Sequence, residues 1–108
     1  MDIRFHEKLY KYKISARGLA AMKRKIKKGS LRLNLFLITL PVGTQGILEV
    51  YWYPELLQTF YRQIEEELIV VGIARNREDA FELVKQIIAD AGFQEGNIQI
   101  DAFFKENT

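Results

Sequence analysis

Seven consecutive residues, Leu68 to Ala74 (LIVVGIA), carry no polar side chain. A run of that length, rich in β-formers, predicts a strand buried on both faces, central in its sheet and beside a parallel neighbour. A helix follows directly. Asn76 stands at its N-cap, with Asp79 three residues on as an Asp variant of the capping box. Ala80, Phe81, Val84, Ile87, Ile88 and Ala91 recur at helical spacing and predict its buried face, and Gly92 is placed to end it.

The rest of the chain alternates in the same way. Tyr10, Tyr12 and Ile14 interleave with Lys11 and Lys13, which is strand spacing and predicts a lysine-edged strand at Leu9–Ile14. Ser15 is a helix cap, Leu19, Met22 and Ile26 form one apolar stripe, and Gly29 is placed for a left-handed stop, so a helix is expected over 16–28. Leu31 to Leu40 reads as a strand ended by Pro41, Gly43 to Gly46 as a turn, and Ile47 to Tyr53 as a second strand of an antiparallel hairpin. Pro54 suits a first helical residue. Leu56, Leu57, Phe60, Tyr61 and Ile64 continue at helical spacing to an acidic exit at Glu65–Glu67. A last strand is expected over Ile98–Phe104.

The expected class is therefore α/β, layered in the α+β sense, with a mixed sheet of four or five strands and about three helices. The order is β-α-β-β-α-β-α-β, whose first six elements match a ferredoxin-like βαββαβ unit with an α-β added. The length, 108 residues, suits one domain over 1–108.

Composition narrows the chemistry. There is no cysteine, so disulfides, thiolate metal sites, cysteine nucleophiles and iron–sulfur clusters are excluded, and a cytoplasmic setting is the expectation. The first twelve residues lack a signal-peptide core, and the longest apolar run, near Leu35–Val42, is too short to span a bilayer. The formal net charge of +2 conceals a split. Residues 1–32 carry eleven Lys and Arg against two acids, a balance of +9; residues 33–108 carry five against twelve, a balance of −7. Such asymmetry marks either a basic arm for an anionic partner or two halves that meet within the fold or across a dimer.

No catalytic, metal-binding or cofactor motif stands out. His6 is the only histidine, with no second imidazole to share a metal and no serine nearer in sequence than Ser15. Glu65–Glu67 point in successive directions and do not converge on an ion. Gly43 to Gly46 precede a strand, whereas phosphate loops lead into a helix. No cofactor and no catalytic residue is expected.

Three surfaces remain. The helix over 16–28 carries Arg17, Lys23, Arg24, Lys25, Lys27 and Lys28, the footprint of a nucleic-acid binder, with Tyr10 and Tyr12 beside it to stack on bases. Arg75 and Arg77 flank the strand-to-helix turn at 74–78, where open α/β sheets bind phosphate-bearing ligands. Tyr51, Trp52 and Tyr53 end a hairpin strand with Trp52 opposite the two tyrosines, a candidate interface for a second copy or another protein. The sequence thus points to a small non-catalytic interaction or regulatory module that self-associates. The alternatives are an RNA- or DNA-binding protein acting through residues 8–32, and a binder of phosphate-bearing small ligands at 74–78.

Overall fold

Ten elements are formed by the described residues, and four of the strands form one sheet. The computed structural model describes residues 2–30, 33–41, 47–57, 67–94, 97–98 and 100–105. In chain order the elements are β1 (Ile3–Lys11), α1 (Ala16–Lys27), β2 (Phe36–Thr39), β3 (Glu49–Trp52), α2 (Tyr53–Leu56) and β4 (Leu68–Ala74). They are followed by α3 (Arg77–Ala91), β5 (Phe93–Gln94), β6 (Asn97–Ile98) and α4 (Ile100–Phe103). The sheet order is β1-β4-β2-β3, while β5 and β6 form a separate two-stranded ribbon.

LIVVGIA is an inner strand. It pairs with β1 in parallel and with β2 antiparallel, and six of its seven residues are buried. β2 and β3 form the expected antiparallel pair, Phe36 opposite Trp52 through Thr39 opposite Glu49. The layered α/β expectation holds: α1 and α2 cover one face of the mixed sheet, α3 and α4 the other. The ferredoxin-like order does not. In that arrangement the first strand lies inside the sheet; here β1 takes the edge, and β4 separates it from an antiparallel β2. One half of the motif survives, because β3 and β4 run parallel with β2 between them.

Two irregularities shape the sheet. On β1, four residues, His6 to Leu9, stand against the single Val71 of β4. On the other side of β4, Val71 is an extra residue between the pairs Thr39–Val70 and Ile38–Gly72. A bulge shifts the alternation of side chains. Leu68 and Val70 therefore face α1 and Ile69 and Val71 face α3, yet Ile73 returns to the α1 side and Ala74 to the α3 side.

β1 differs from the expected Leu9–Ile14. It starts six residues earlier, its first turn of pairing tied by Leu68 N–H to the Asp2 carbonyl at 2.8 Å. It stops at Lys11, because the chain turns at Lys13, whose φ of 54° is left-handed. The bulge hides this strand from any periodic reading of the sequence.

The helix signals read correctly. Gly18 N–H donates to Ser15 Oγ at 3.0 Å. At the other end Gly29, at φ 70°, directs its own N–H to Ile26 and that of Ser30 to the Lys25 carbonyl, both at 3.0 Å. That is the double bond of a Schellman stop. On α3, Asp79 N–H donates to Asn76 Oδ1 at 2.8 Å and Gly92 closes the helix at φ 80°. Its buried residues are Ala80, Leu83 and Ile87; Phe81, expected inside, is 51% exposed.

The last strand is also corrected. Among the described residues of that stretch only Ile98 is extended, in β6 with Asn97, and Ile100–Phe103 is helical, because Ile100 and Phe104 four apart present one buried face to α3. Leu31, the turn at 43–46, helical positions Phe60, Tyr61 and Ile64, and Glu65 and Glu66 lie outside the described residues. Among those described, no helix is long and apolar enough to cross a membrane.

Candidate nucleic-acid interface

The basic residues of α1 occupy one side of the helix because of their spacing. Ile26 is buried in the core, with Leu19 and Met22 packed beside it. At about 100° per residue, Arg17, Arg24 and Lys28 fall on a line directly opposite Ile26, with Lys25 and Lys27 to either side and Lys23 at the margin. The ridge from Arg17 to Lys28 is ~16 Å long at ~1.5 Å per residue. Lys23 is half-buried and the other five are exposed.

Whether the lysines meet the acidic half of the chain decides between an open patch and internal charge balance. Among the described residues, none of these six cations pairs with a carboxylate; the ion pairs are Arg4 with Glu67 at 2.9 Å and Lys85 with Glu82 at 2.9 Å. The acids of α3, Glu78, Asp79, Glu82 and Asp90, belong to the helix on the other face of the sheet. The sheet thus separates the acids of α3 from the cations of α1, while Asp2, Glu55 and Glu67 stay on the α1 side.

An aromatic ring completes the surface, though not the expected one. Tyr10 and Tyr12 pack with the α3 cluster, on the far side of the sheet from α1. Tyr10 is committed there: its hydroxyl donates to Asp90 Oδ2 at 2.6 Å. Burial, then the bond and charge of Asp90, hold this phenol well above its ordinary range. The ring beside α1 is Phe5, half-buried on β1, with the Lys23 and Lys27 ammonium groups 5.3 and 5.6 Å from its centroid. Strand parity from Ile3 would have pointed to it, had the strand been recognised that far back.

Two hollows border this face. One, of about 350 Å³, is lined by Phe5, Lys23, Arg24, Lys27 and Lys28. The other, of about 540 Å³, lies where β1 begins and α1 ends, with Ile26, Tyr53 and Leu56 as apolar lining and Arg4, Lys27, Lys28, Asp2 and Glu67 as charged lining. Lys27 Nζ also donates to the Ile3 carbonyl, tying the helix to the strand.

The other expected surfaces are laid out differently. Arg75 and Arg77 are exposed, and the Arg77 guanidinium lies 5.9 Å from the Phe36 ring. The neighbouring helix N-terminus is occupied by the Asn76 side chain and followed by Glu78 and Asp79. Of the hairpin aromatics, Tyr53 is buried as the first residue of α2, Tyr51 is half-buried with its hydroxyl on Glu49, and Trp52 is 43% exposed, its Nε1–H donating to Asn34 Oδ1 at 2.9 Å. Among the described residues β3 pairs only with β2.

His6 is structural. It is buried within the β1 bulge, its Nδ1 accepts the Lys8 N–H at 2.9 Å, and its Nε2 faces the Phe104 carbonyl at 2.8 Å. An accepting Nδ1 puts the proton on Nε2, which therefore donates to Phe104. Lys8 Nζ donates to the Phe103 carbonyl at 2.8 Å, so the bulge fastens the end of α4. Among the described residues no three His, Asp or Glu side chains converge on a point that holds a metal. No family model, no curated protein and no solved structure matches this chain.

Proposed function

We propose that this protein is a small non-catalytic nucleic-acid-binding module that grips the phosphate backbone along α1. The observation that carries the reading is the set of six cations, Arg17, Lys23, Arg24, Lys25, Lys27 and Lys28, five of them exposed and none ion-paired among the described residues, on a helix with no acid in it. A solvated row of like charges costs the fold self-repulsion and gives it no ion pair in return; neutralising phosphates supplies one. A cytoplasmic setting, expected from the cysteine-free composition, belongs to the same proposal.

The test is titration of labelled mixed-sequence oligonucleotides at low salt, repeated over a salt series. With four to six phosphates contacted, log K should fall with log salt at a slope of about −3 to −4 on single strands. The quadruple change Arg17→Gln, Arg24→Gln, Lys25→Gln and Lys28→Gln should flatten that slope and remove most of the affinity. No binding at low salt ends the reading.

A second reading is self-association through the β3 edge. It is supported by Trp52, 43% exposed on a strand paired on one side, with Ile47 exposed nearby. Two such edges can pair around a two-fold axis. Sedimentation over a wide concentration range tests it, and a strict monomer throughout removes it.

A further inference from the structure

We propose that Phe5 is a stacking platform for one unpaired base, so that the partner of α1 is single-stranded nucleic acid. This rests on the nucleic-acid reading of α1 and adds to it the form of the strand.

The argument begins with position. Phe5 sits on β1 three residues into the chain's first strand, on the same side of the sheet as α1. Its half-buried ring is the one aromatic group lining the 350 Å³ hollow, and the four other lining residues are Lys23, Arg24, Lys27 and Lys28. Phosphate ligands alone would need no apolar floor. A shallow, open hollow lined by the Phe5 ring and the carbon stems of four cationic side chains, whose charged ends lie outside it, matches a nucleotide instead: a flat base on the apolar lining with its phosphates beyond the edge.

The two ammonium groups near the ring do not block it. Lys23 ends a long flexible stem and leaves the ring face for a phosphate at little conformational cost, while Lys27 exchanges its bond to the Ile3 carbonyl for one to a phosphate. The base then takes the ring face while the lysines keep the backbone. A duplex hides its base faces in its own stack, so only an unpaired base reaches Phe5. Base–aromatic stacking changes affinity by roughly five- to 150-fold per base, which makes the preference measurable.

The experiment compares one twelve-residue oligonucleotide as a single strand and as a duplex, by anisotropy at fixed low salt, on the intact protein and on Phe5→Leu, Phe5→Tyr and Phe5→Trp. The intact protein should favour the single strand. Phe5→Leu should weaken single-strand binding at least fivefold while leaving the salt slope and duplex affinity in place, and Phe5→Tyr should restore it. In Phe5→Trp, the indole emission should be quenched by the single strand and not by the duplex. Equal affinity for both forms, or an unaffected Phe5→Leu, overturns the stacking role while α1 remains a phosphate contact. Loss of all oligonucleotide binding in the intact protein overturns both. Thermal melting of each variant separates a folding defect from a binding one, and if Phe5→Leu melts early the Phe5→Trp quenching carries the test, its absence with the single strand overturning the stacking role.

Discussion

Gly72 lies opposite Ile38 in the sheet, so closely that a β-carbon on Gly72 would stand 3.0 Å from Ile38 Cδ1 and 3.3 Å from Ile38 Cβ. The Cδ1 can swing aside; the Cβ is fixed to its backbone. Gly72→Ala is therefore expected to cost about 1–3 kcal/mol by overpacking the centre of the sheet. Urea unfolding measures it, and Gly72→Ala combined with Ile38→Val should recover part of the loss by removing Cδ1. An undiminished midpoint for the single variant would show that β4 has room at its bulge.

The hold of the β1 bulge on the chain's end gives a second prediction. His6→Leu leaves the Phe104 carbonyl and the Lys8 N–H without the imidazole they share. One buried carbonyl and one partly buried N–H left without their partner cost about 1–3 kcal/mol together. Hydrogen exchange should localise the effect, with amides of Ile100–Phe104 losing protection before those of β4. Uniform loss across the sheet would mean that the imidazole supports the core and not the end of α4.

Two buried hydroxyls work in the opposite sense. Thr39 Oγ1 and Tyr53 Oη are enclosed without a hydrogen-bond partner. A buried polar atom with nothing to bond keeps its desolvation cost. Thr39→Val and Tyr53→Phe preserve shape, and each should raise stability by about 1 kcal/mol. Thermal melts of both variants check this, and a lower melting point in either would contradict it.

High pH should act through the tyrosines. Burial and Asp90 raise the Tyr10 phenol, and burial raises Tyr53. The folded state thus favours the neutral phenols, and their contribution is whole below the unfolded value of about 10. As pH climbs beyond that value the unfolded chain releases the protons first, and stability falls. Tyr10→Phe should lower stability near neutrality by losing the Asp90 bond and should flatten the alkaline fall. An alkaline profile identical in parent and variant would remove Tyr10 from this role.

The parts of the fold legible in the sequence are those where a local signal and the long-range contacts agree. LIVVGIA is apolar on both sides because both sides are covered, and Ser15, Gly29, Asn76 and Gly92 cap or stop helices by bonds within a few residues. β1 is not legible in this way, because its bulge interrupts the period-two pattern and the Tyr10–Ile14 alternation continues past the strand. Ile98–Phe104 is made of β-formers, yet Ile100 and Phe104 also fit a helix, and contact with α3 selects it. At the candidate site, the six cations of α1 could be read directly from spacing. Phe5 could not, because its place beside them depends on which face of a bulged strand it takes.

The sheet also holds two helices of opposite charge apart. Its α1 side carries a helix of cations without one acid, and its α3 side a helix with four acids against Arg77 and Lys85. In the field of any polyelectrolyte such a body feels a torque before it feels contact, and it arrives already turned. Encounters would be productive more often than random tumbling allows, and added salt would slow arrival as well as loosen the grip.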